Sequence, residues 1–178
     1  SAAFFLLVAP CNSQDLVLEI DRGINLIRSS HGLGLLRRDQ RLDSAAKSQT
    51  DWMLRVGRME HLRKPAASLE EYKVCNWHPI NRVVNSGYFS FDEMFSVEYT
   101  PNGVTVHPRP IANSNIGEII AAGKGWGSYI RRSDIILEGW MKSPGHRESI
   151  LTPHFEEFGV AVSGNSGEVY WCVVFALR

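Results

Sequence analysis

Apolar residues recur along this chain with two periods, and each change of period marks a new element. Leu16, Ile20, Ile24 and Ile27 fall three and four residues apart, the spacing of one stripe on an α-helix. That helix is expected to stop at Ser29–Gly32, where Gly32 suits a left-handed cap. After a short link, Leu42, Ala45, Ala46, Met53 and Val56 define a second helix, which Gly57 closes shortly before His61.

The stretch from Lys64 to Ser114 is less regular. A short helix is expected over Ile80–Asn85. Phe95–Thr100 and Val104–His107 then alternate with period two around Pro101-Asn102-Gly103, which predicts a β-hairpin ended by Pro108 and Pro110. Asn113–Ala122 reads as a short capped helix, and a further helix runs from Ser133 or Asp134 to about Met141, stopped by Ser143-Pro144-Gly145. Arg147–Leu151 has room for one more turn. Phe158–Val162 and Val169–Phe175 form a closing hairpin about Ser163–Gly167. The second of these strands is apolar on both faces, so it belongs in the middle of a sheet covered on both sides. Helices on either side of a central sheet satisfy that demand.

Composition narrows the function classes. With 178 residues, the chain is the size of one domain. Lys plus Arg and Asp plus Glu number 19 each, so it lacks the basic excess of a nucleic-acid binder. Arg37, Arg38 and Arg41 make the nearest basic cluster, which reads as a solvated face. Cys11, Cys75 and Cys172 allow at most one internal disulfide, with Cys75–Cys172 the first pair to test. None has the spacing of a cysteine zinc site. Ser1–Pro10 is an apolar run too short to span a bilayer, and it fits the end of a signal-peptide hydrophobic region or an N-terminal arm. Export is therefore expected, with membrane contact only through that segment.

Four groups of residues, in order and at the right distances, carry a resemblance to a known family. They are Ile24–Arg28 with His31-Gly32-Leu33; Leu42–Ala46 with Met59-Glu60-His61; Asn115-Ile116-Gly117-Glu118; and Gly139–Arg147 with Phe158-Gly159-Val160 and Tyr170-Trp171. Together they resemble the CAP superfamily of cysteine-rich secretory, antigen 5 and pathogenesis-related 1 proteins, most closely its bacterial-type subset. The resemblance implies an α/β fold, a three-layer α-β-α sandwich with a central, mainly antiparallel sheet. It implies one domain over residues 15–178, with an insertion at about 89–114, and an extracytoplasmic location. Three departures stand out. Ile119 replaces the family's Asn after Gly-Glu, the insertion is long, and Ser143 stands where larger members carry a second cleft Glu.

In that family two His and one or two Glu converge in a cleft able to hold a divalent ion. Carried over residue by residue, the cleft is His61, Glu118 and His146, with His61 and His146 as ligands of a weakly bound ion, zinc foremost. Each residue also has a purely structural reading. His61 ends a helix, His146 begins a short one, and Glu118 sits three residues after Asn115, which is capping-box spacing. His78 and His107 lie in or near the insertion, and His31 and His154 read as surface residues. Three functions follow. The first is an exported binding module for a small-molecule, lipid, glycan or peptide ligand. The second is a metal-dependent hydrolase using Glu118 as base, and the third is a rigid envelope scaffold with a vestigial cleft. The chain has no HExxH helix or GxSxG elbow, and the missing second Glu favours binding or vestige over catalysis.

Overall fold

The computed structural model describes residues 13–64, 66–101, 103–125 and 132–178. The apolar segment Ser1–Pro10, Cys11 and the turn residue Asn102 lie outside the described residues. The first helix, α1 (Ser13–Ser30), begins two residues before the expected start of the domain at residue 15. Its stripe Leu16, Ile20 and Ile24 is buried, and the fourth position of that stripe is Arg28 rather than Ile27. The Arg28 guanidinium donates to the backbone oxygens of Gly34 (2.8 Å), Ile150 (2.8 Å), Thr152 (2.9 Å) and Phe155 (3.3 Å). It thereby satisfies carbonyls at the end of a distant helix, α8 (Pro144–Leu151), that have no intrahelical donor.

Strand β1 (Arg37–Arg38) leads into α2 (Gln40–Val56), where the Asp39 side chain accepts the Arg41 N–H at 2.8 Å. Gly57 ends α2 in the left-handed conformation, φ 68°, as its place in the sequence required. Leu42, Ala45, Ala46 and Met53 form its buried face. This helix lies directly on strand β5 (Glu157–Gly164). A Cβ at Gly159 would stand 2.0 Å from the Leu42 carbonyl carbon, so only glycine fits. The Asp43 carboxylate beside it accepts the Val160 N–H at 2.9 Å.

The irregular stretch after α2 forms α3 (Leu69–Val74) and α4 (Pro79–Asn85), and the insertion then supplies α5 (Phe91–Met94), the hairpin β2 (Phe95–Thr100) and β3 (Gly103–Pro108), and α6 (Pro110–Ser114). The expected hairpin forms as a separate two-stranded sheet, with Phe95 opposite Pro108 and Thr100 opposite Gly103, so Gly103 belongs to the second strand. The hairpin's apolar face is covered toward the base, where Phe95 is buried, and is bare near the turn, where Tyr99 is exposed. Through α6 that base runs into β4 (Ile116–Lys124), the strand that carries Glu118.

β4 is a correction. The sequence reading made Asn113–Ala122 a capped helix, but residues 116–124 pair antiparallel with β6 (Glu168–Ala176) along their whole length. The open edge of a central, fully apolar strand outweighs a helix-start signal, and Ile116, Ile119 and Ile120 are β-branched. Asn115 is no cap for Glu118; its amide donates to the Leu177 carbonyl at 3.1 Å. The main sheet has the order β1-β5-β6-β4, antiparallel except where β1 meets β5. Tyr170, Cys172 and Val174 of β6 face one core with α2 and α4, while Val169, Trp171, Val173 and Phe175 face another with α1, α7 (Ser133–Lys142) and α8. This is the expected three-layer α-β-α sandwich. Among the described residues, no helix is long and apolar enough to cross a membrane.

The proposed disulfide is a second correction. Cys75 and Cys172 are both free thiols. Cys75 caps the end of α3 and donates to the Tyr72 carbonyl at 3.3 Å, whereas Cys172 is buried mid-strand in the main sheet.

The α2–β5 contact at Gly159 generates a stability prediction. Gly159→Ala drives a methyl group into helix backbone, which cannot rotate away as a side chain would. Denaturant unfolding is expected to show a loss of about 3 kcal/mol, at the upper end for overpacking. Gly139→Ala, with nothing within 4 Å of the added Cβ, is the matched control, and it should stabilise by about 0.5–1 kcal/mol because alanine replaces glycine within α7.

Candidate functional site

The polar centre of the molecule is a buried carboxylate. β4 turns Glu118 toward the α2–α4 layer, on the same face as Ile116 and Ile120, and its side chain is only 1% exposed. Such a charge is tolerated inside a protein only when it is paired and hydrogen-bonded. Arg82, on α4 and fully buried, donates to Oε2 at 2.6 Å. His61 Nδ1 lies 2.9 Å from Oε1. The Cys172 thiol lies beneath, its Sγ 3.7 Å from Oε2. Burial works to raise the Glu118 pKa, but the Arg82 charge and the hydrogen bonds from His61 and Arg82 outweigh it and hold the carboxyl below the usual range. Burial, reinforced by the Glu118 charge, pushes the Cys172 thiol well up, so it stays protonated and is no nucleophile.

The backbone around this pair is fixed by the same guanidinium. Arg82 also donates to the carbonyls of Asn76 (3.0 Å) and His61 (3.1 Å). The segment after α2 is tied down a second time. Arg63 donates to the Ser48 carbonyl (2.6 Å) and the Gln49 side chain (3.1 Å), its own N–H binds the Trp77 carbonyl (2.8 Å), and the Gln49 amide donates to the Glu60 carbonyl. Burial, with the Arg82 charge nearby, brings the Arg63 pKa down to about 10. His61 is thus held against Glu118 from two sides while 44% of its side chain faces solvent.

An ionised carboxylate can only accept, so the hydrogen of a neutral His61 ring sits on Nδ1 and the Nε2 lone pair is free. His146, at the start of α8, is half-buried and touches neither residue by hydrogen bond among the described residues. Burial, then the His61 charge, lowers its pKa. It lines a cavity of about 280 Å³ with Met59, Ile120, Ile136, Trp140 and Ser143. Ser143, counted from the sequence as the place of a missing second carboxylate, therefore does border His146.

The structure joins His61 to Glu118 and sets His146 within electrostatic reach of His61. It leaves His107 on the hairpin beside Glu98, His31 against the Ile27 carbonyl and His154 against the Ser114 carbonyl. His78 is the N-cap of α4, accepting the Ile80 N–H at 3.2 Å, yet it also feels the charges of Arg82 and Glu118. Sequence reasoning missed Arg82 entirely, since a basic residue within a short apolar helix gives no hint of its partner 36 positions later. A cavity of about 540 Å³ between α1, α2 and β5 contains none of the three predicted residues.

A family model described as CAP: Cysteine-rich secretory protein family matches residues 22–175. Among solved structures the chain is similar to an outer surface protein from Borrelia burgdorferi, with 15% identity, 94% of this chain and 96% of that one covered, and a TM-score of 0.63. It is also similar to an extracellular protein containing an SCP domain from Bacillus anthracis, with 21% identity, coverage of 96% and 45%, and a TM-score of 0.62. A cysteine-rich secretory protein from Staphylococcus aureus follows, with 12% identity, coverage of 96% and 40%, and a TM-score of 0.52. The chain spans less than half the length of the latter two. At these identities the likeness is one of fold. No curated protein sequence matches the chain.

The Arg82–Glu118 pair predicts a pattern among variants. Arg82→Met strands a buried carboxylate and is expected to cost about 3–5 kcal/mol in denaturant unfolding. Arg82→Met combined with Glu118→Gln removes both charges and should recover a substantial part of that loss. A double variant no more stable than Arg82→Met alone would show that the two groups are not coupled.

Proposed function

We propose a ligand-binding role, outside the cytoplasm, for this chain, which belongs to the cysteine-rich secretory protein (CAP) family. One observation carries the reading: both oxygens of the buried Glu118 carboxylate are committed, one to His61 and one to Arg82. A general base must be free to take a proton near neutral pH. Glu118 is instead held ionised below its usual range and walled off from solvent. This favours binding over a metal-dependent hydrolase. An extracytoplasmic location is supported by the named neighbours, an outer surface protein and an extracellular protein among them.

With Nδ1 engaged by Glu118, His61 offers Nε2 in the carboxylate–histidine arrangement common behind metal ligands. His146 offers a second imidazole, and its lowered pKa favours the neutral, ligating form. Among the described residues, no cluster of three or more His, Cys, Asp or Glu donors gathers. The set fits a weak two-imidazole site for an ion such as zinc, not a closed structural one. In this reading Glu118 orients His61 rather than acting as a ligand. A bound ion would supply positive charge and open positions beside the groove.

The groove narrows the ligand class. Its walls are Met59, Ile120, Ile136 and Trp140, and its polar end is His146 and Ser143. An amphiphile, with an apolar chain on those walls and an acceptor group at the His146 imidazole, suits it better than a glycan. Titration with a fluorescent dansyl fatty acid is expected to saturate, and Ile136→Trp should weaken binding by about tenfold by narrowing the groove. In calorimetry zinc should bind weakly, with at least about a tenfold loss in His61→Ala and in His146→Ala. Metal-dependent ester hydrolysis that disappears in Glu118→Gln would move the assignment to a hydrolase. Absence of fatty-acid and zinc binding alike would favour a scaffold with a vestigial cleft.

A further inference from the structure

A second cavity, of about 230 Å³, opens beside the base of the hairpin. Tyr72 from α3, Trp77 from the following loop, and Phe95 and Val106 from the hairpin form its walls, with His78 and Asn113 as polar members. None of His61, Glu118 and His146 lines it, and none of its lining side chains is an acid, lysine or arginine. The insertion built this space, since both hairpin strands contribute to it.

Three properties define what would fill it. The first is the aromatic packing. Tyr72 meets Phe95 edge-to-face at 5.2 Å and 89°, and Trp77 at 6.0 Å and 71°. Rings held this way by one another are already ordered, so a guest ring can extend the edge-to-face contacts at little entropic cost. The second is size. An apolar cavity of about 150 Å³ is enough for benzene, so this one takes a single ring with a small substituent.

The third property is a hydrogen-bond donor of known tautomer. His78 Nδ1 accepts the Ile80 N–H at 3.2 Å, so the hydrogen of the neutral ring is on Nε2. Burial and the Arg82 charge keep that ring below the ordinary imidazole range, hence neutral at pH 7. Among the described residues, Nε2 has no hydrogen-bond partner. A guest that brings an acceptor takes this donor in place of water, and without a charged wall it has no reason to be ionised.

We propose that this cavity is a second ligand site, separate from the His61–Glu118 cleft, for one neutral aromatic ring bearing a hydrogen-bond acceptor. The ring sits among Tyr72, Trp77 and Phe95, and its acceptor takes the His78 Nε2–H. Because His78 caps α4 and Arg82 lies one turn further on, occupancy here bears on the helix that clamps Glu118.

Benzamide, which has this chemistry, is the probe. Titrated into the whole chain and followed by ¹⁵N-resolved NMR, it is expected to saturate one site. The shifted signals should be the Trp77 indole N–H and amides of residues 72–80, 95 and 106. Val106→Trp, which fills the cavity, should weaken binding by about tenfold or more. Toluene offers the same ring without an acceptor and should bind the unmodified protein about three- to tenfold more weakly. Absence of saturation, or shifts centred on His61 and His146 instead, would overturn the site. Equal binding of toluene and benzamide would remove His78 from it. The NMR map and the toluene comparison use the unmodified chain, so both stand even if Val106→Trp fails to fold.

Discussion

A carboxylate placed on the inner face of a central sheet has to be neutralised where it stands, and much of this molecule is arranged around meeting that demand for Glu118. The charge cannot reach water, because α2, α4 and the insertion cover that face of the sheet. Arg82 is therefore drawn fully inside, which fixes where α4 docks. The same guanidinium binds the carbonyls of His61 and Asn76, so the irregular chain on either side of it inherits a defined path. His61 owes its position to this arrangement: it is the one member of the cluster with substantial exposure, presented from a buried, ionised support.

The frame that makes this possible is held by close backbone contacts. α2 lies against β5 with no room for a side chain at Gly159, and Asp43 is bonded to the Val160 amide next to it. On the other face of the sheet, Arg28 plays a different part. Among the described residues it has no carboxylate as a hydrogen-bond partner and binds four backbone oxygens, so that α1, the link after it and the end of α8 are joined by one side chain. Burial lowers its pKa, but a guanidinium keeps its charge. His146 sits at the start of α8, the helix whose end Arg28 secures.

The elements whose local pattern agrees with their environment were legible in the sequence. The stripes of α1 and α2, the hairpin about Pro101–Gly103 and the doubly apolar β6 all carry their period in their own residues. β4 was not legible, because Asn115 and Glu118 have capping-box spacing and only the exposed edge of β6 decides against a helix. At the site, His61 and Glu118 were found through ordered motifs and do meet. Arg82 and Cys172 could not be found that way. Their roles come from lying across from Glu118 in space, and no spacing along the chain encodes that.

Titration of the Glu118 carboxyl carbon by ¹³C NMR tests the central claim most directly. A group whose folded pKa is depressed contributes stability that is present above its unfolded value, about 4.3 for Glu, and lost as the pH falls through the folded value. With Arg82 and His61 in place, the Glu118 signal should stay that of a carboxylate as the pH falls through the ordinary range for exposed glutamates. Its change should come only at lower pH, together with loss of the fold. A Glu118 signal that titrates along with the exposed glutamates, or above them, would contradict the clamp and return the residue to the pool of available bases.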